Sequence, residues 1–108
     1  LKIEIPHPDE IDRVGTHIII HSWDTWNMDH TLSYIIVPML EQLKATKHGY
    51  PSSLTEERWD EILDEMIWAF TFKRDRFDSL MEEDPKATQE RLSNAFMLFG
   101  KYYENLWD

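Results

Sequence analysis

The sequence predicts a mainly α-helical domain, three or four helices packed as a small bundle with one or two short N-terminal β-strands. Three observations predict it. Apolar residues from Met28 to Leu106 recur at helical spacing, cap signals precede the second and third of these stretches, and 108 residues suit a single core. Residues 1–26 read as a strand and loop segment, and residues 27–108 as the helical core of the same domain.

Lys2-Ile3-Glu4-Ile5 alternates polar and apolar as a half-buried strand does, and Pro6 and Pro8 end it. Thr16 to Ser22 is a second strand candidate, with Ile18 and Ile20 on one side and His17, Ile19 and His21 on the other. A two-stranded ribbon is marginal in water without a helix behind it. The period then changes: Met28, Leu32, Ile35, Ile36, Met39 and Leu43 fall on one narrow arc at about 100° per residue. This predicts a first helix, capped by Asp24 or Asn27, kinked at Pro38 where a backbone hydrogen bond is lost, and followed by Gly49.

Ser53-Leu54-Thr55-Glu56 has capping-box spacing, with Thr55 as an alternative cap ahead of the acidic turn Glu56-Glu57. The second helix carries Trp59, Ile62, Leu63, Met66 and Phe70 toward a core, and the same phase resumes at Phe77, Leu80 and Met81. Lys73 and Arg74 interrupt it, so either one long helix has a polar notch or two helices meet near Asp75. Asp84-Pro85 starts the third, with Asp as cap and Pro at the first helical position. Leu92, Ala95, Phe96, Phe99, Tyr103 and Leu106 form its apolar side, which predicts a helix running almost to Asp108. Gly100 within it costs about 1 kcal/mol against Ala and suggests close approach of another backbone.

Composition narrows the function classes. The net charge is −10, of which −6 falls on residues 51–83, and this argues against direct nucleic-acid binding while favouring basic protein surfaces. The absence of Cys removes disulfides, thiolate metal sites and thiol nucleophiles. No apolar run approaches the ~20 residues of a membrane span and no leader pattern opens the chain, so no membrane association and an intracellular location are expected. No Gly-rich phosphate loop or nucleophile motif is present.

On the second helix, Trp68 and Phe72 form an i,i+4 pair on the side away from the predicted core arc, among Glu61, Asp64 and Glu65. Aromatic anchors inside a ring of charge have the composition of an interface hot spot, and the bland alternative is that the N-terminal strands or a second copy cover them. Either makes this side a contact surface. These carboxylates together with Glu57 suit a divalent cation, and Glu61-x-x-Asp64 resembles half of the paired acidic motif by which all-helical nucleotide pyrophosphohydrolases of the MazG type hold Mg²⁺. Its partner half is missing. His17 and His21, with Asp24, Asp29 and His30 near in sequence, form a second weak metal candidate, against the reading that they are ordinary surface residues.

The stretches Trp23 to Leu32, Leu63 to Phe70 and Leu98 to Asp108 resemble those of a family of small, uncharacterised proteins of tailed bacteriophages. The resemblance covers most of residues 17–108 and implies expression in the cytoplasm of an infected bacterium, or incorporation into a virion. It carries no activity and no residue roles. The function expected is therefore non-enzymatic protein–protein contact, by self-assembly into a homo-oligomer or by binding a host or phage partner, with no cofactor. A basic nucleic-acid-binding protein is one partner class. Two alternatives remain open: a nucleotide hydrolase dependent on a divalent cation, and a structural component of the virion.

Overall fold

The computed structural model describes residues 1–5, 16–75 and 84–108. Among them are two strands, β1 (Lys2–Glu4) and β2 (His17–Ile19), and three helices, α1 (Met28–Thr46), α2 (Glu56–Asp75) and α3 (Pro85–Lys101). Single turns of 3₁₀ helix lie at Ser22–Asp24 and Tyr103–Asn105. The mainly α reading holds, with three helices and a short antiparallel ribbon. Pro6, Pro8, Phe77, Leu80 and Met81 lie outside the described residues.

The strands pair antiparallel with Lys2 opposite Ile19, Ile3 opposite Ile18 and Glu4 opposite His17. β2 is shorter than Thr16 to Ser22 because β1 has only three residues to pair with it; past Ile19 the chain runs through Ile20 and His21 into the 3₁₀ turn. There Asp24 turns back and accepts the His21 main-chain N–H at 2.7 Å. Its carboxylate is therefore spent on that turn, and Asn27 flanks the start of α1 without a capping side-chain bond. α1 continues past Pro38 and ends at Thr46.

Local signals set the starts of the other two helices. Thr55, the alternative to the Ser53 capping box, accepts through Oγ1 from Arg58 N at 3.1 Å, and the predicted cap Asp84 accepts through Oδ1 from Ala87 N at 3.1 Å, so each satisfies an otherwise unpaired donor. α3 stops at Lys101, short of the predicted end. Asp108 explains the difference: its Oδ1 accepts the His48 main-chain N–H at 2.8 Å and lies 2.9 Å from His48 Nδ1, which draws the C-terminal residues across to the end of α1. Gly100 is exposed, and a Cβ there would meet nothing within 4 Å, so the expected close backbone approach does not occur.

α2 is the central helix, packed by α1 and by α3. All five of its predicted core residues, Trp59, Ile62, Leu63, Met66 and Phe70, are buried, with Val37 and Leu40 from α1 and Leu98 from α3. Fully burying side chains of this size stabilises the fold by about 1.5–3 kcal/mol each. A second cluster, Ala69, Leu92 and Ala95, forms where small residues let α3 come close to α2. The α1–α2 pair is antiparallel, and ion pairs fix it along its length: Asp29 with Lys73 at 2.8 Å, Lys44 with Asp64 at 2.7 Å and Lys47 with Asp60 at 2.7 Å.

α1 departs from its predicted orientation. Ser33, Val37 and Leu40 are its buried residues, whereas Met28, Leu32 and Met39 from the predicted core arc are exposed, with Ile35, Ile36 and Leu43 half-buried. The two arcs lie about 120° apart on the helix. Helix α2 takes the line that carries the small Ser33, whose hydroxyl is satisfied internally by donating to the Asp29 carbonyl at 2.7 Å.

Candidate functional site

The aromatic pair singled out on α2 lies at the seam with α3. Trp68 and Phe72 are half-buried, their rings 5.7 Å apart, and they pack on the Ala69, Leu92 and Ala95 cluster. A helix flanked on two sides uses two apolar arcs, and the wheel had assigned only one to burial. Arg91 of α3 closes this seam from outside: its guanidinium carbon is 3.7 Å from the Trp68 ring centroid, and its Nε and Nη2 donate to the two oxygens of Glu65 at 3.1 and 2.9 Å.

The remaining carboxylates of that side also have basic partners. Arg58 donates to Glu61 at 3.0 Å, and Lys44 Nζ lies 2.7 Å from Asp64. The Asp64 carboxylate beside Lys44 holds its ammonium above the ordinary lysine range. Lys73 acts in the opposite sense on Asp29, its hydrogen bond keeping that carboxyl below the usual range. Glu61 and Asp64 are thus engaged with cations of the chain itself. His17 stands across the ribbon from Glu4, while His21 stacks on Trp23 with centroids 4.6 Å apart and planes 13° from parallel. Among the described residues, no group of three His, Asp or Glu side chains is placed to hold a metal ion.

Among the described residues, an uncovered apolar surface lies along α1. α1 and the C-terminal residues border a groove of about 890 Å³, walled by Ile36, Met39 and Leu43 on one flank and by Phe99, Tyr103 and Leu106 on the other. Leu40 and Gln42 also line it. Met39 is 66% exposed at its lip and Tyr103 63%, and Leu32 and Met28 extend the apolar strip along α1 toward its N-terminus. Asp108, at the groove end, is held by His48, whose hydrogen bond keeps the carboxyl below the usual range. Chemically this is an open, mainly apolar cleft bordered by Gln42, Thr46, Tyr103 and Asp108, suited to receiving a hydrophobic ridge.

A further apolar region belongs to the N-terminal segment. Ile3, Ile5, Ile18, Ile19 and Ile20 are all exposed, and Trp26 beyond them is 81% exposed. Sequence singled out the ribbon only through His17, as a metal candidate, and the groove not at all. Periodicity placed the α1 strip inside, since it reports which arc is apolar and is silent about what packs on it. No helix among the described residues is long and apolar enough to cross a membrane. The chain matches no protein-family model, no curated protein and no solved structure.

Proposed function

We propose that this chain works by protein–protein contact rather than by catalysis, and that the outer strip of α1 with its adjoining groove is the contact surface. One observation carries the reading: the exposed part of the apolar arc of α1, Met28, Leu32 and Met39, lies off the Ser33, Val37 and Leu40 line that packs on α2, and Met39 borders an open groove of about 890 Å³. Contiguous apolar surface of this kind is costly to leave in water and marks interaction sites. The bacteriophage resemblance supplies the setting, the cytoplasm of an infected cell or an assembling virion, and the acidic charge of the remaining surface disfavours nucleic acid as the partner.

The test compares tagged wild-type chain with Met39→Glu, a change at an exposed position that leaves the core intact. Both are recovered from phage-infected cells, and co-purifying proteins, further copies of the chain included, are quantified by mass spectrometry. Contact through α1 predicts at least a tenfold loss of the bound species with an unchanged circular dichroism spectrum. Equal recovery by both proteins, or no stoichiometric partner of any kind with the wild type, removes the reading.

A further inference from the structure

We propose that the occupant of the α1 strip and groove is a second copy of this chain, docked with its α1 antiparallel about a two-fold axis level with Val37 but on the opposite, outer side of the helix; this rests on the contact reading above and names the partner. The outer side of α1 carries Met28, Leu32, Ile35, Met39, Gln42 and Thr46, all exposed but the half-buried Ile35, at successive intervals of four, three, four, three and four residues. That is the spacing of a helix-pairing seam, in which alternate steps of three and four keep one stripe facing a second helix. It is a different stripe from the Ser33, Val37 and Leu40 line that packs on α2. The seam therefore calls for a helix, and the fold places none there among its described elements.

Charge leaves a second copy free to pair on this face. Residues 27–50 have no net charge in a chain of −10, and the seam has no ionised side chain. The positions flanking it are Asp29, Thr31, Ile36, Pro38, Leu43 and Ala45, where paired helices ordinarily carry the charges that choose between partners. Asp29 alone is ionised there, and Lys73 holds it at 2.8 Å. Two copies meeting elsewhere would bring acidic surfaces together; on this face they meet without like-charge repulsion. No flanking charge favours a different helix.

The direction follows from the shape of the face. The intervals read the same from either end, so a two-fold axis sets Leu32 against Gln42 and Ile35 against Met39 of the other copy. The groove walls Phe99, Tyr103 and Leu106 stand beside the Leu43 to Thr46 end, and α1 has its bare apolar ridge, Met28 and Leu32, at the opposite end. Antiparallel docking seats each ridge between α1 and the groove wall of the partner. Parallel docking would leave both grooves open. The face is narrower than the about 20–30 residues per side of a standard interface, so the dimer should be concentration-dependent.

Sedimentation equilibrium of the full chain from about 1 to 300 µM, spanning the range expected of such an interface, is the test. The wild type should pass from 13.0 kDa to twice that mass. Leu32→Glu should weaken association by at least about tenfold while its circular dichroism spectrum stays helical. Leu32→Glu combined with Gln42→Lys sets opposite charges across the axis at both pairs, and should restore association at low salt and lose it again in high salt. A wild type that stays monomeric overturns the proposal, as does a Leu32→Glu dimer of undiminished affinity. Failure of the double variant to regain association overturns the antiparallel register, because parallel helices would set each introduced charge against its own counterpart. A monomeric wild type whose Met39→Glu variant still loses a different captured protein sinks the self-association alone; loss of neither sinks the contact reading as well.

Discussion

Arg91 lies over the indole of Trp68, 3.7 Å from its centroid to the guanidinium carbon, while it forks both oxygens of Glu65. One planar cation thus joins a helix face to its neighbour through two kinds of contact, which a lysine ammonium cannot reproduce. Arg91→Lys is expected to destabilise the chain by about 0.5–1 kcal/mol, and Arg91→Ala by about 1–2 kcal/mol, the upper figure including the ring surface it uncovers. Urea titration followed by circular dichroism measures both. A pair that contributed nothing would leave the midpoint unmoved.

α3 offers two changes of opposite sign. Asp84→Ala removes the acceptor of the Ala87 N–H and should cost about 1 kcal/mol. Gly100→Ala should stabilise by up to about 1 kcal/mol, since the position is helical, exposed and has open space where the Cβ would go. Thermal unfolding of the single variants should bracket the wild type.

The contact of α1 with α2 depends on a small residue. Ser33 is fully buried and its hydroxyl is satisfied within its own helix. Ser33→Ala should therefore change stability by less than about 1 kcal/mol, whereas Ser33→Leu should cost about 1–3 kcal/mol by overpacking. Chemical denaturation separates the two; equal costs would mean that the hydroxyl rather than the volume matters.

Stability should fall at both pH extremes. Asp29 is held below its ordinary range by the Lys73 hydrogen bond, Asp24 by the His21 main-chain N–H, and Asp75 by Arg74. A carboxyl depressed by folding stabilises the native state above the unfolded value, about 3.9, and that contribution is lost as pH drops through the lower folded value. Lys44 runs the other way: raised by Asp64, it contributes below the unfolded lysine value, about 10.4, and loses this as pH rises through the folded one. Unfolding midpoints measured from pH 2 to 11 should thus decline below about 4 and above about 10. Asp29→Asn should flatten the acid limb, and Asp64→Asn the alkaline one.

Much of the fold was legible because its causes are local. Thr55 and Asp84 cap helices through donors three residues away, and α2 buries the five residues that its period assigned to the core. The candidate site was less legible. Trp68 and Phe72 stood apart from that arc on the wheel, yet α3 meets them, because a central helix is packed on more than one side. The length of α3 was misjudged for a related reason: Asp108 reaches His48, sixty positions away in sequence, and no local pattern announces such a bond.

What the sequence determined by itself was the mainly helical class, the start of α3 at Asp84-Pro85, the excess of negative charge and the presence of an apolar stripe on each helix, while it left open whether one helix or two follow Thr55. These follow from backbone hydrogen bonding, side-chain volume and 3.6-residue periodicity, which act within a few residues. Only the tertiary structure decided which stripe of α1 would be spent on α2. Ser33, Val37 and Leu40 won that position over the more apolar Met28, Leu32 and Met39. The reason is physical: the orientation of a helix follows from the room a small side chain leaves for its neighbour, with the ion pairs Asp29–Lys73, Lys44–Asp64 and Lys47–Asp60 adding a smaller share, and both belong to the pair of helices rather than to either alone.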